Sequence, residues 1–228
     1  MDAAFIAPVS YQNSYLERDL SALVPLRRTR AMGQVPRALP AECISALLAG
    51  IEGDTSTAGQ RDLAIVSLLS MYGVRGVQIR RLLLEHIDWE NSRICFPAAK
   101  GGRRVEQHLM ADVGGLLAEY LMHGRPSSAH REVFLTLSEP YGPLPNASHL
   151  SRAIRNRINR LGIEVPEGVS RGTHGFRHAF ASRMVGHVPF KDLVDLLGHR
   201  DPSSTLIYGK VDVPGLRQAA LSWPGGEG

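Results

Sequence analysis

The chain has 228 residues, which is long enough for one sizeable domain with or without a short arm. Lys and Arg outnumber Asp and Glu by 26 to 22, so the net charge is +4, and the pI is near 9.3. This mildly basic balance is compatible with a nucleic-acid partner. No apolar run approaches the ~18 residues that span a bilayer, which argues against a membrane protein.

The N-terminus has no basic region followed by an apolar core, so no signal peptide is predicted. The two cysteines, Cys43 and Cys95, are far apart, and both fall within apolar patterns. Such positions are typical of buried, reduced thiols, and they indicate a cytoplasmic protein.

Residues 1–37 show little hydrophobic periodicity and carry a basic stretch. Arg27, Arg28 and Arg30 belong either to a solvated linker or to an arm that lies along DNA phosphates. We predict an N-terminal arm or linker over 1–37, a folded domain over 38–221 and a short tail over 222–228.

Two long helices are predicted at the start of the domain. Pro40 is placed to begin a helix whose apolar face includes Leu47 and Ile51. Residues 63–71 are almost wholly apolar and predict a buried helix that ends at Gly73 as its C-cap. A short helical segment over 77–84 follows.

Two β-hairpins are predicted next. Residues 86–96 alternate in polarity around a turn at 91–92, and residues 96–109 repeat the pattern around Lys100 and two glycines. Together they predict a small three-stranded antiparallel sheet with Lys100 near a hairpin tip. The fold class is therefore α+β and mainly helical.

Asp112 and Asn146 are each placed to cap a further helix. The helix after Asn146 carries an apolar stripe at helical spacing, formed by Leu150, Ile154, Ile158 and Leu161. The rest of this helix carries four arginines: Arg152, Arg155, Arg157 and Arg160. These arginines form either a solvated face or a surface for DNA phosphates and grooves.

The C-terminal third predicts several short helices. Thr173 is placed to cap one of them, and residues 193–197 form another that stops at Gly198. Asp201-Pro202 is typical of a helix start, and that helix would carry Tyr208 near its end. A last short helix is predicted over 214–221.

This third of the chain also holds a group of chemically suited side chains. His174 and Arg177 are three residues apart, so on a helix they share a face. Arg offers a permanently charged fork for phosphate oxygens, and His transfers protons near neutral pH. His199 follows Gly198, and Tyr208 supplies a hydroxyl able to form a covalent intermediate. The pattern favours a site that attacks a phosphodiester with a tyrosine.

The motifs His174-Gly-Phe-Arg177, Leu197-Gly-His199 and Tyr208 together resemble box II of the tyrosine recombinase (phage integrase) family. Upstream, Tyr72-Gly-Val-Arg75 resembles box I, and Lys100 stands where the family has its hairpin lysine. The resemblance covers roughly residues 38–221, with all six positions filled in the family's order. It implies the family's catalytic domain over this range and a site-specific DNA recombinase.

The resemblance implies that three of these positions act on the phosphate. Arg75 and Arg177 would bind the two non-bridging oxygens and stabilise the charge that grows there. His199 would donate a hydrogen bond to the same phosphate.

The other three positions would supply the nucleophile and transfer protons. Tyr208 would attack and form a 3′-phosphotyrosyl link, although a phenol with a pKa of about 10 is largely protonated at neutral pH. His174 would manage the tyrosine proton, and Lys100 would protonate the departing 5′-oxygen. The link conserves the bond energy, so no cofactor and no metal is expected.

Family precedent further implies double-stranded DNA as the partner and a homo-tetramer on two synapsed sites. The C-terminal segment would dock on a neighbouring copy, with Leu216 and Leu221 as candidate docking residues.

Each residue also has an ordinary explanation when it is taken singly. Arg75 could interact with helix-end carbonyls, Lys100 could mark any exposed hairpin tip, and His199 could be a helix-end partner. Two other functions stay open, namely a non-catalytic DNA-binding module and a type IB topoisomerase-like activity that needs no partner site.

The sequence departs from the family pattern at three points. The 37 residues before the domain are too few for the helical core-binding domain that family members usually carry. Gln78 stands where box I usually has an acidic residue, which predicts a neutral contact to Arg75. The loop over 186–189 is about one residue short, which could shift His199 relative to Arg177.

Overall fold

The structure, a computed structural model, describes residues 37–99 and 102–198. Helices account for about half of this part of the chain, in agreement with the predicted mainly helical α+β fold. They are α1 (Ala41–Glu52), α2 (Thr57–Tyr72), α3 (Gly76–Arg80), α4 (Ala111–Glu119), α5 (Ala147–Arg160), α6 (Thr173–Met184) and α7 (Phe190–Leu196). The strands are β1 (Ile87–Asp88), β2 (Arg93–Phe96) and β3 (Val105–His108).

Helix α2 is the centre around which the other helices pack. Most of its residues are buried, and it contacts α1, α4, α5 and α6. A helix with so many buried side chains is stable only when neighbouring elements cover most of its surface. The Ser56 side chain begins the helix by accepting a hydrogen bond from the Gly59 N–H at 3.1 Å.

Gly73 ends α2 in the left-handed region, with φ +58°, which confirms the predicted C-cap. The Phe180 ring of α6 packs where a Cβ at Gly73 would lie. Both the backbone conformation and the close approach of α6 therefore require glycine here.

The three strands form an antiparallel sheet in the order β1-β2-β3, as predicted. Ile87 pairs with Ile94 and Phe96 pairs with Val105, and all four side chains are buried. Strand β1 is only two residues long, because residues 84–86 form a 3₁₀ turn instead of extended chain.

Helix starts differ from the sequence expectation at two of three positions. Asn146 caps α5 as predicted, and its side chain accepts the His149 N–H at 2.9 Å. Helix α4 begins two residues earlier than expected, with Met110 as its N-cap, so Asp112 lies in its first turn, where a carboxylate still favours the helix dipole. Thr173 is the first residue of α6, and Gly172 is its N-cap.

A buried cluster of charged side chains joins α5 to α2. Arg157 donates from Nε to Asp62 Oδ2 at 2.9 Å and from Nη1 to Asp54 Oδ2 at 2.6 Å. Arg61 donates to the other oxygen of Asp62 from Nε and from Nη2. Hydrogen bonds from Ser56 and from Arg157 lower the pKa of Asp54 to about 2.

The prediction that Arg157 contacts DNA is therefore wrong. Its side chain is 10% exposed, and it donates to two carboxylates inside the protein. Arg157 lies on the buried side of α5 beside Ile154 and Ile158, so its guanidinium serves the packing of α5 against α2.

Cys43 is buried and donates from Sγ to the Glu164 carbonyl at 3.3 Å, and burial raises the pKa of its thiol. Cys95 on β2 is half-buried, and both cysteines are free thiols. None of the helices in the described part of the chain has the length and the hydropathy that a bilayer span needs.

Candidate active site

Arg75 lies at the junction of α2 and α3, where it is the N-cap residue of α3. Its backbone N–H donates to Gln78 Oε1 at 2.9 Å, and Gln78 Nε2 donates to the Pro97 carbonyl at 3.1 Å. Gln78 is 2% exposed. The neutral contact predicted for Gln78 is thus made to the Arg75 backbone, and it fixes this junction to the end of strand β2.

Arg177 is buried on α6 and connects the ends of two other helices. Its Nη1 donates to the Gly73 carbonyl and its Nη2 to the Leu197 carbonyl, both at 2.8 Å. Carbonyls at a helix C-terminus lack partners within the helix and favour a cation. Arg177 therefore connects the end of α7 to the end of α2. Its acceptor at the end of α2, Gly73, lies two residues before Arg75.

His174 is exposed in the first turn of α6, one turn before Arg177. The starts of α6 and α3 touch, because a Cβ at Gly76 would lie only 3.1 Å from Thr173 Oγ1. Gly76 follows Arg75, and Thr173 precedes His174. Three of the six predicted catalytic residues therefore converge where α2 ends and where α3 and α6 begin.

His178 is a half-buried neighbour of this group. Its pKa lies below the ordinary value, mainly because of burial and then because of the charges of His174 and Arg177. Both effects favour the uncharged form of this imidazole.

The predictions for Lys100, His199 and Tyr208 lie outside the described residues. The structure does describe residues close to Lys100 and His199 in the sequence. A Cβ at Gly102 would lie 2.7 Å from the Gly198 carbonyl, so the β2–β3 hairpin approaches the end of α7.

Helix α5 presents its remaining predicted arginines to solvent. Arg152, Arg155 and Arg160 are exposed, and Arg152 Nη2 lies 3.3 Å from His149 Nδ1. Ser151 Oγ of the same helix lies 3.3 Å from Thr173 Oγ1, next to His174. The exposed basic face is therefore attached directly to the start of α6. Arg27, Arg28 and Arg30 lie outside the described residues.

Sequence reasoning missed the polar contacts that hold this arrangement. The periodicity of α5 could have identified Arg157, because it stands seven residues after Leu150 and therefore on the apolar stripe. The partners of Arg177 carry no such signal, since they are backbone carbonyls of distant segments.

Comparison with known proteins gives a consistent picture. The model of the Phage integrase family matches residues 37–213. Two proteins of Sinorhizobium fredii that carry the name putative integrase/recombinase, y4rA and y4gC, are each 37% identical to this chain. The alignment covers 97% of this chain and 53% of y4rA, and 85% of this chain and 98% of y4gC.

A solved structure shares the fold. The crystal structure of XerH site-specific recombinase bound to palindromic difH substrate superposes with a TM-score of 0.64 at 21% identity, covering 82% of this chain and 53% of that chain. The chain spans about half the length of y4rA and of this XerH chain. With the family model matched over most of the sequence and y4gC aligned over nearly its full length, this chain belongs to the phage integrase family.

Proposed function

We propose that this protein cleaves and rejoins double-stranded DNA at specific sites through a 3′-phosphotyrosyl intermediate, with Tyr208 as the nucleophile. The observation that carries the proposal is the placement of Arg177. It is buried, it is oriented by the Gly73 and Leu197 carbonyls, and it lies beside the junction that holds Arg75. Because the chain belongs to the phage integrase family, we assign both arginines to the same scissile phosphate.

Two arginines at one junction suit the chemistry of a phosphodiester. As negative charge grows on the phosphoryl oxygens, positively charged donors held in place beforehand stabilise it without further reorganisation. Guanidinium groups offer the paired N–H geometry that phosphate accepts. In this proposal Arg75 and Arg177 bind the non-bridging oxygens and His199 donates to the same phosphate.

Proton transfer falls to the remaining residues. His174 is exposed at the start of α6, where a substrate can reach it, and it takes the tyrosine proton. Lys100 protonates the departing 5′-oxygen. The phosphotyrosyl bond then conserves the energy needed for rejoining, and four copies of the chain on two synapsed sites exchange strands.

The test of the function is capture of the covalent intermediate. DNA flanking the gene, nicked so that the cleaved end diffuses away, is mixed with wild-type protein and with Tyr208→Phe, and the products are separated on a denaturing gel. We expect a protein–DNA adduct with the wild type and none with Tyr208→Phe, while both bind the DNA equally.

The other outcomes identify the alternatives. DNA that is bound but yields no adduct indicates a non-catalytic binding module. An adduct together with relaxation of a supercoiled plasmid that carries no second site indicates topoisomerase-like activity.

The exposed face of α5 is the proposed DNA contact. We replace Arg152, Arg155 and Arg160 together by glutamine. The logarithm of the DNA association constant falls linearly with the logarithm of the salt concentration, and the magnitude of this slope should decrease by roughly 2–3, because each lost phosphate contact removes about 0.9. The measurement is a binding titration at several salt concentrations.

Arg131→Gln provides the control, since this exposed arginine pairs with Glu85 and does not belong to α5. This variant loses one positive charge, and its salt-dependence slope should equal that of the wild type within experimental error. An unchanged slope in the triple variant would exclude α5 as the contact surface.

A further inference from the structure

The end of α7 is attached to the edge of the β2–β3 hairpin by polar contacts. Arg103 Nη2, just before β3, forms an ion pair with Asp195 Oδ1 of α7. Gln107 Nε2 of β3 donates to the Leu196 carbonyl at 3.4 Å. Gly198 lies directly against the same hairpin, since a Cβ there would meet the Val105 side chain. These contacts reach the segment 195–198 from one side.

Arg177 connects the same segment to α2. Its Nη2 donates to the Leu197 carbonyl, while its Nη1 donates to the Gly73 carbonyl at the end of α2. Any displacement of 195–198 therefore moves one of the two acceptors that orient the buried guanidinium.

Helix α7 has little hydrophobic anchorage of its own. It is seven residues long and buries two of them, Leu193 and Val194; Leu193 packs with Leu197, Phe180 and Ala181 in a small cluster separate from the main core. A short helix with so few buried contacts is positioned weakly by packing alone. The polar contacts to the hairpin restrict it further.

We propose that Arg103, Asp195 and Gln107 are positioning residues for Arg177. They hold the end of α7 so that the Leu197 carbonyl orients the guanidinium toward the scissile phosphate. This inference rests on the proposed function, because it assigns the consequence of the contacts to strand cleavage.

The ion pair is suited to a selective test. The Arg103 and Asp195 side chains are 58% and 48% exposed. Exposed pairs add little to global stability, so variants should fold normally. Their effect on cleavage can be larger, since small misplacements of a group that acts on the transition state lower the rate steeply.

The experiment compares Arg103→Asp, Asp195→Arg and the double reversal, with Gln107→Leu as a fourth variant. We expect each single change to lower the cleavage rate of bound DNA by roughly five- to tenfold at an unchanged melting temperature. The double reversal should recover to within about twofold of wild type, as a pairwise interaction requires. Reversal of the Arg93–Glu106 pair, which is equally exposed but joins β2 to β3 only, is the matched control and should change the rate less than about twofold.

A second measurement does not depend on activity. The Gly198 N–H donates to the Asp195 carbonyl at 2.9 Å, and its hydrogen exchange reports on the end of α7. It should accelerate in the single variants and return to the wild-type rate in the double reversal.

Faster exchange without recovery in the double reversal, or unchanged exchange and cleavage in all variants, would overturn the proposal. Weaker DNA binding by Arg103→Asp that the double reversal does not restore would instead make Arg103 a DNA contact. If wild-type protein forms no adduct but exchange follows the expected pattern, the attachment of α7 stands and the proposed function fails.

Discussion

Replacing Arg177 by lysine is expected to lower the rate of DNA cleavage by roughly 10²- to 10³-fold, the usual cost of losing one oriented donor to a developing oxyanion. Lysine keeps the positive charge, but a single ammonium group cannot reproduce the planar fork that now joins the Gly73 and Leu197 carbonyls. Affinity for DNA should fall only a few-fold, because the wider basic surface is intact. The measurement is the rate of adduct formation with DNA at saturation.

Arg183→Lys is the matched control. Arg183 lies on the same helix, and its Nη2 also donates to a carbonyl of α2, that of Ser70, at 2.9 Å. Both variants therefore lose a guanidinium contact between α6 and α2, but Arg183 is exposed and only Arg177 lies beside the Arg75 junction. If the two variants cleaved DNA at the same reduced rate, the loss would be structural and Arg177 would have no special part in the chemistry.

Replacing Arg157 by methionine is expected to reduce the free energy of unfolding by about 3 kcal/mol, since removing one partner of a buried ion pair leaves the other partly uncompensated. Asp62 keeps its bonds from Arg61 but loses the donor to Oδ2. For a chain of this size the melting temperature should fall by roughly 6–12 °C. Thermal and urea unfolding measure the change.

Arg160→Met on the same helix separates burial from charge. Arg160 is exposed one turn later, so its replacement should alter the free energy of unfolding by less than about 0.5 kcal/mol. Equal stability losses in the two variants would show that the buried ion pairs of Arg157 contribute nothing beyond helix propensity.

Local patterns were sufficient for much of the fold. The apolar run of α2, its glycine C-cap and the alternating strands each depend on neighbouring residues, so the sequence displays them directly. Arg157 was misassigned because its charge was given more weight than its position on the apolar stripe of α5. A buried arginine is compatible with such a stripe when acidic partners face it, and Asp62 lies 95 residues away.

In the candidate site, too, features set by neighbouring residues were predicted, and contacts between distant residues were not. The motif places His174 and Arg177 on one helix, and the structure places Arg75 next to them. The contacts that orient Arg177 join segments separated by 104 and 20 residues, and the Arg103–Asp195 pair spans 92. Contacts of this kind depend on how whole helices and strands pack, so no local sequence pattern predicts them.

The central position of α2 has a consequence during synthesis of the chain. This helix is buried over most of its surface, yet α6, which covers it next to Gly73, follows it by about a hundred residues, as the 104-residue separation of Arg177 and Gly73 shows. At translation rates of about 5–20 residues per second, the ribosome needs roughly 5–20 seconds to supply that cover. During this interval the apolar side chains of α2 are incompletely shielded, and the nascent chain is then most dependent on chaperones and most prone to aggregate.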